Sequence, residues 1–464
     1  KPTVITLLSF VAVTIFYLSL LSTSLDQGAH RIFYQTRMGT PGTRRVLWAI
    51  AITLSFVFPL ILFSNGFAMA TMEKLLLWGI VGATSFVVFG PYKKDTFSAS
   101  APTLDADEFS KSGFFNAYSL LSNVSLKLPI VVFTFAYFFD SLYGNMSFVI
   151  LIALITISGV LLMAFGQIAH TRIGLVTAFS VILGLVIMLI MGSEAQLIQI
   201  RNQLLGGIGG ENQVTAWQLI TLGIVSTSIW LGTAGQQKMT RNEEVTQGGN
   251  RNILSISALV LAIFYFISIL MSRGRYFFST NADIRIDTAS NGFLLIILSG
   301  ACIMGLMSIF QSTSRIFANR IFKSKSGQTK PEILVLVSRL SIVISVALAI
   351  LLAPLLTNHA SLIIEKLILI YIMMSLPVLV LRIFRRFGFL INPSVVSYSL
   401  MGGWTPSVIL IALHLSHLIY IQVLINMMSW MMLYCAIFTY IISVIIEKNG
   451  KSLKLDPKSG IGIL

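Results

Sequence analysis

Apolar residues along this chain fall in runs of about twenty positions, parted by short segments that collect the charges and the Gly, Pro and Asn residues. A run of that length covers about 30 Å of hydrocarbon when helical. It must be helical, because lipid offers backbone N–H and C=O groups no partner. The pattern predicts spans near 2–21, 46–70, 74–90, 127–144, 146–165, 173–191, 214–231, 253–271, 292–317, 333–355, 362–381, 395–413 and 418–446. The fold class that follows is an all-α polytopic membrane protein with about thirteen transmembrane helices.

Composition agrees with the pattern. Of 464 residues, 56% are hydrophobic and only 11% charged, and the mean hydropathy is +0.87. The net charge of +15 would suggest nucleic acid in a water-soluble chain. Here the cations sit between apolar runs, the distribution that orients membrane helices, and no recognition pattern for nucleic acid accompanies them. Thirteen spans collect all but seven of the 32 Lys and Arg residues on one face, the exceptions being Lys1, Lys74, Arg201, Arg273, Arg275, Arg285 and Lys366. That face is expected to be cytoplasmic, which places the N-terminus outside, the C-terminus inside and the chain in the inner or plasma membrane. Lys127 is counted here as the last cytoplasmic charge before the fourth span.

Chemistry of other kinds finds little footing. Cys302 and Cys435 lie within apolar runs and read as small buried residues. His414 and His417 have no third metal-ligating neighbour and read as interfacial. There is no phosphate-binding G-x-x-x-x-G-K-[ST] motif and no nucleophile-and-base pair, so neither ATP coupling nor an enzyme is expected. Asp140, Glu365 and Glu73 all fall near predicted span ends, where a charged side chain reaches water.

Interrupted spans carry more information, because a membrane helix can break only where protein or a wet cavity satisfies the freed backbone groups. The second span holds Phe58-Pro59 at its middle and Ser64-Asn65-Gly66 one turn later. The seventh holds Gly223 and Ser226-Thr227-Ser228 before Trp230. The two stand five spans apart, the spacing of two inverted five-helix repeats whose broken helices flank a midplane binding site.

Several segments extend this reading. Trp230-Leu231-Gly232-Thr233-Ala234-Gly235-Gln236-Gln237 followed by Arg241, the stretch 292–323 with its Gln311-Ser312-Thr313-Ser314, Ser338-Arg339-Leu340, Arg385-Arg386-Phe387-Gly388 to Gly402-Gly403, and Phe165-Gly166-Gln167-Ile168-Ala169 are the relevant ones. Together they resemble the sodium/proline and sodium/sugar symporters of the sodium/solute symporter family. The resemblance covers most of the chain and is best between 217 and 403. It implies a leucine-transporter-like 5+5 inverted repeat with one helix before the core and two after it. The chain then divides into an extra N-terminal helix and loop (1–45), a first repeat (46–191), a second repeat (214–381), two C-terminal helices (395–446) and a cytoplasmic tail (447–464).

The implied function is secondary active transport of a small polar solute by alternating access, with Ser64, Asn65, Ser226, Thr227, Ser228 and Gln311 as candidate solute contacts. The family's sodium site falls over Ala301, Met304, Gly305 and Ser308, with Met304-Gly305 where an adjacent hydroxyl pair is expected. A hard cation needs oxygen ligands, and neither residue has a side-chain oxygen. Gly174 stands where the family has an acidic residue, Arg320 where it has Asp, and Val57-Phe58-Pro59-Leu60 where it is small and polar. Sodium is thus a doubtful co-substrate, and no other cofactor is expected. A transport-inactive relative, acting as a scaffold, a sensor or one of several membrane subunits in the lipid bilayer, is the competing expectation.

Overall fold

The computed structural model describes residues 55, 58–60, 71–89, 112–143, 147–191, 215–230, 288–322, 331–356, 360–386 and 392–454. The first and eighth predicted spans, most of the second, and Ser64 and Asn65 lie outside them. The described residues are helical almost throughout. Helix α1 is Thr71–Phe89. Helix α2 runs through Gly113–Ser122, a π-helical turn Asn123–Lys127 and Leu128–Tyr143. Helix α3 is Ser147–Met191, and α4 is Ala216–Ser226 with a 3-10 turn Thr227–Trp230 at its end. Helix α5 is Thr288–Arg315, continued by a π-helical Ile316–Phe322. Then come α6 (Pro331–Leu352), α7 (Ala360–Arg386), α8 (Pro393–Leu415) and α9 (Ile421–Lys454).

Among the described residues six stretches are long and apolar enough to cross a bilayer: Gly113–Asp140, Ser147–Gly166, Ile333–Leu352, Ile363–Phe384, Pro393–Leu415 and Val423–Ile446. The chain is a multi-pass membrane protein. Large apolar side chains such as Leu336, Leu340 and Leu351 on α6, Met401 and Ile409 on α8, and Ile437 and Ile441 on α9 are exposed, which suits lipid and would not suit water.

Two boundaries have clear local causes. The break between the fifth and sixth predicted spans is a single residue, Gly166, whose φ of 56° and ψ of −132° interrupt α3. A side chain is strained at that φ, so glycine ends one span and starts the next without a loop. Helix α2 departs from expectation. The sequence pattern places its start at 127, but Ser112 caps it by accepting a hydrogen bond from the Phe115 N–H, and the helix runs from Gly113. Lys127 is therefore not a cytoplasmic loop residue; it lies midway along Gly113–Asp140. Pro129 explains the π-turn just before it. Proline clashes with the carbonyl four residues back, and widening the turn, with the Leu128 N–H reaching the Asn123 carbonyl, relieves that clash.

Helix α5 is the axis of the molecule. Every residue from Leu298 to Ser314 is buried, and the helix packs against α2, α3 and α6. Small residues allow the close crossings, as in other membrane bundles. A Cβ on Gly300 would lie 2.8 Å from Thr177 of α3, and one on Gly403 of α8 would lie 2.6 Å from Pro377 of α7. Helix α4 lies on α1, with Gly223 against Ile80. It is tied to α9 by a Thr221–Ser429 hydroxyl pair at 2.8 Å.

Candidate functional site

Two stretches of α5 define the interior. The first is the Met304-Gly305 level. Met304 is fully buried, and a Cβ added to Gly305 would meet the Ser55 Cβ at 3.1 Å and the Val131 Cγ1 at 3.2 Å. The second predicted span thus reaches α5 at Gly305, with α2 closing the other side. Nearby Phe58, itself fully buried, packs its ring against Phe135 at 5.7 Å and Phe138 at 5.5 Å. Phe58, Pro59 and Leu60 are helical and buried. Of the residues expected to hold a cation, Ala301 and Met304 offer no side-chain oxygen to a hard ion, Gly305 fills its space with neighbouring side chains, and Ser308 is buried.

The second stretch, two turns further along α5, is polar. The Asn123 amide of α2 donates to the Ser312 hydroxyl at 2.8 Å, and that hydroxyl donates to the Ile309 carbonyl at 3.1 Å. One turn along α2, Lys127 is 1% exposed, and its ammonium stands 5.5 Å above the centre of the Tyr371 ring of α7. The Tyr371 hydroxyl reaches across at 3.4 Å to the Ser228 carbonyl, in the 3-10 turn that ends α4. A turn along α7, Ser375 shares a hydrogen bond of 3.0 Å with the Tyr118 hydroxyl. The Tyr118 ring lies tilted against Trp404 with centroids 4.7 Å apart, and the Trp404 indole N–H donates to the Met374 carbonyl at 3.0 Å. Five helices, α2, α4, α5, α7 and α8, meet in this polar seam.

Its polar groups are incompletely satisfied. The Lys127 Nζ, the Asn123 Oδ1 and the Ser228 hydroxyl are all buried without a hydrogen-bond partner. Buried polar atoms are paired in the great majority of cases, so three orphans held around one tyrosine and one serine mark a place able to receive a ligand.

Of the sequence-predicted solute contacts, Ser226, Thr227 and Ser228 are buried where α4 changes from α to 3-10 geometry. Thr227 bonds back to the Gly223 and Ile224 carbonyls, so its hydroxyl is spent on its own helix. Ser228 is the one of the three that joins the seam. Gln311 is buried beside Ser312. Asn123, Lys127, Tyr118 and Tyr371 were not among the sequence-derived candidates. The signal that could have exposed the first two was Pro129 inside an apolar run, with Asn123 and Lys127 four residues apart just before it.

Comparison with solved structures gives a strong likeness. A solved structure of a Na+-coupled sialic acid symporter, in a substrate-bound outward-open state with a novel Na+ site, superposes with a TM-score of 0.67. The match covers 95% of this chain and 98% of that one at 14% identity. The fold is therefore one also used by a symporter. No family model matches the chain, and no curated protein does.

Proposed function

We propose that this chain is a secondary transporter that carries a small polar solute by alternating access. The observation that carries the reading is the end of α4. The helix leaves α geometry at Thr227 and turns the Ser228 carbonyl toward Tyr371, whose ring carries the unpaired Lys127 ammonium of α2. Broken helix ends next to unsatisfied side chains are how membrane carriers build a midplane site. The fold shared with the sialic acid symporter over nearly the whole chain supports the same reading. In this proposal the chain has thirteen spans, 46–191 and 214–381 form the two inverted repeats, and the N-terminus faces outward from the inner or plasma membrane. Uptake of labelled sugars, amino acids and monocarboxylates into proteoliposomes, with and without a sodium gradient, tests it. Solute-dependent uptake supports the proposal, and its absence across the panel contradicts it.

Sodium coupling in the manner of the symporter family finds no support at Gly305, where Ser55 and Val131 close on the backbone. The same packing, with Phe58 set between Phe135 and Phe138, favours a second reading in which the chain is a transport-inactive relative working with other membrane subunits. Recovery from native membrane in a stoichiometric complex, with no uptake on reconstitution, would favour that alternative.

A further inference from the structure

A positive charge at the middle of a membrane span requires compensation, since charged side chains there are expensive and pair with something. Among the described residues Lys127 has no such partner. Its ammonium is buried, makes no hydrogen bond, and rests on the face of Tyr371.

The acidic residues of the described helices do not supply the balance from a distance. None of the 17 Asp and Glu residues falls in the middle of a predicted span. Those on the described helices, Glu73, Asp140, Glu332, Glu365 and Glu447, stand within about two turns of a helix or span end. Asp140 is on the same helix as Lys127 but thirteen residues away, roughly 20 Å along the axis. Lipid headgroups are excluded by the burial of the side chain. An anion that comes and goes would supply that balance.

We propose that Lys127 receives the carboxylate of the transported solute, so that the substrates are small carboxylates carrying a hydrogen-bond donor. This rests on the transporter reading and gives it a substrate class. The ammonium is a donor and a full charge, suited to a carboxylate oxygen. The unpaired Asn123 Oδ1, one turn away on the same helix, can only accept and so selects a hydroxyl or amine on the same molecule. The unpaired Ser228 hydroxyl, across Tyr371, can serve either group. An unoccupied site leaves a bare cation, and an occupied one pairs it.

The test uses the full chain purified in detergent, with thermal unfolding read by a thiol-reactive dye, since Cys302 and Cys435 are both buried. Lactate, N-acetylneuraminate and proline are compared with lactamide, galactose and mannitol, and sodium chloride is titrated against sodium sulfate. At least one carboxylate should raise the melting temperature where its neutral counterpart does not. Lys127→Met should weaken that carboxylate at least about tenfold, as loss of one partner of a buried charge pair does, and Lys127→Arg should largely retain it. The comparison of lactate with lactamide needs no variant and stands even if Lys127→Met fails to fold. Stabilisation by neutral solutes alone, or equally by carboxylates in Lys127→Met, overturns the inference and leaves the transporter reading intact. Stabilisation by chloride alone, dependent on Lys127, overturns the carboxylate assignment in favour of an inorganic anion. No stabilisation by any solute counts against both, while carboxylate binding without uptake separates them the other way.

Discussion

The Gly305 and Ser312 levels of α5 are two helical turns apart and differ in almost every respect. At Gly305 the helix is pressed against Ser55 and Val131, and Met304 and Phe58 are both buried. At Ser312 it meets the Asn123 amide, in a seam that also holds the Lys127 ammonium and Tyr371, with the Lys127 Nζ, Asn123 Oδ1, Ser228 hydroxyl and Thr313 hydroxyl left unpaired. Both levels are equally inaccessible to solvent. Burial alone therefore says little about function; whether the buried groups are satisfied says more. The first level is where resemblance to a known family points, and it is packed like a structural crossing. The second was anticipated only at Gln311 and Ser228, not at Asn123, Lys127 or Tyr371, and has the composition of a binding site.

Substitutions can sharpen this contrast. The largest effect is expected from Phe58→Ala, which removes a fully buried ring from between Phe135 and Phe138. A loss of about 3–5 kcal/mol is typical for such a cavity, read as a lower denaturation midpoint in detergent. If stability hardly changes, Phe58 is not part of a packed wall and the Gly305 level is looser than described.

Gly305→Ser comes next. It returns one hydroxyl to the position expected for a cation ligand, yet its Cβ must displace Ser55 and Val131 by a few tenths of an ångström. Overpacking of this kind costs about 1–3 kcal/mol, and no sodium-dependent rise in melting temperature should accompany it. A gain in sodium stabilisation would mean that the level lacks only a ligand and is not closed by packing.

The smallest effect belongs to Tyr371→Phe, which keeps the ring beneath Lys127 and removes the hydroxyl that reaches the Ser228 carbonyl. About 1 kcal/mol of stability should be lost. Because that bond spans the seam from α7 to α4, the loss should be accompanied by a change in solute affinity that Phe58→Ala does not produce in proportion.

How much of this could be read beforehand varies from helix to helix. The helical class and membrane setting follow from run length alone, and the Gly166 break was visible as a polar, glycine-containing turn between two runs. The interruption of the seventh span at Ser226-Thr227-Ser228 was also legible, since a hydroxyl-rich triplet before Trp230 interrupts an otherwise apolar run. Helix α2 was misread for a physical reason. Ser122-Asn123-Val124-Ser125-Leu126-Lys127-Leu128-Pro129 has the hydropathy of a loop, and only the packing of α5 and α7 around it makes it a buried turn. A lysine's burial is a tertiary property that no local window contains. The closure at Gly305 was half legible. The missing side-chain oxygens were plain, but not that Ser55 and Val131 occupy the space.

The central claim is that the polar seam is visited by water and solute from both sides of the membrane in turn. Asn123→Cys measures this directly, because Cys302 and Cys435 are buried and give a low background. In proteoliposomes a membrane-impermeant thiol reagent, applied from either side, should label residue 123, and a transported solute should slow the labelling. Protection from both sides, matching that of Cys302, would mean a sealed interior and would leave the chain as architecture without passage.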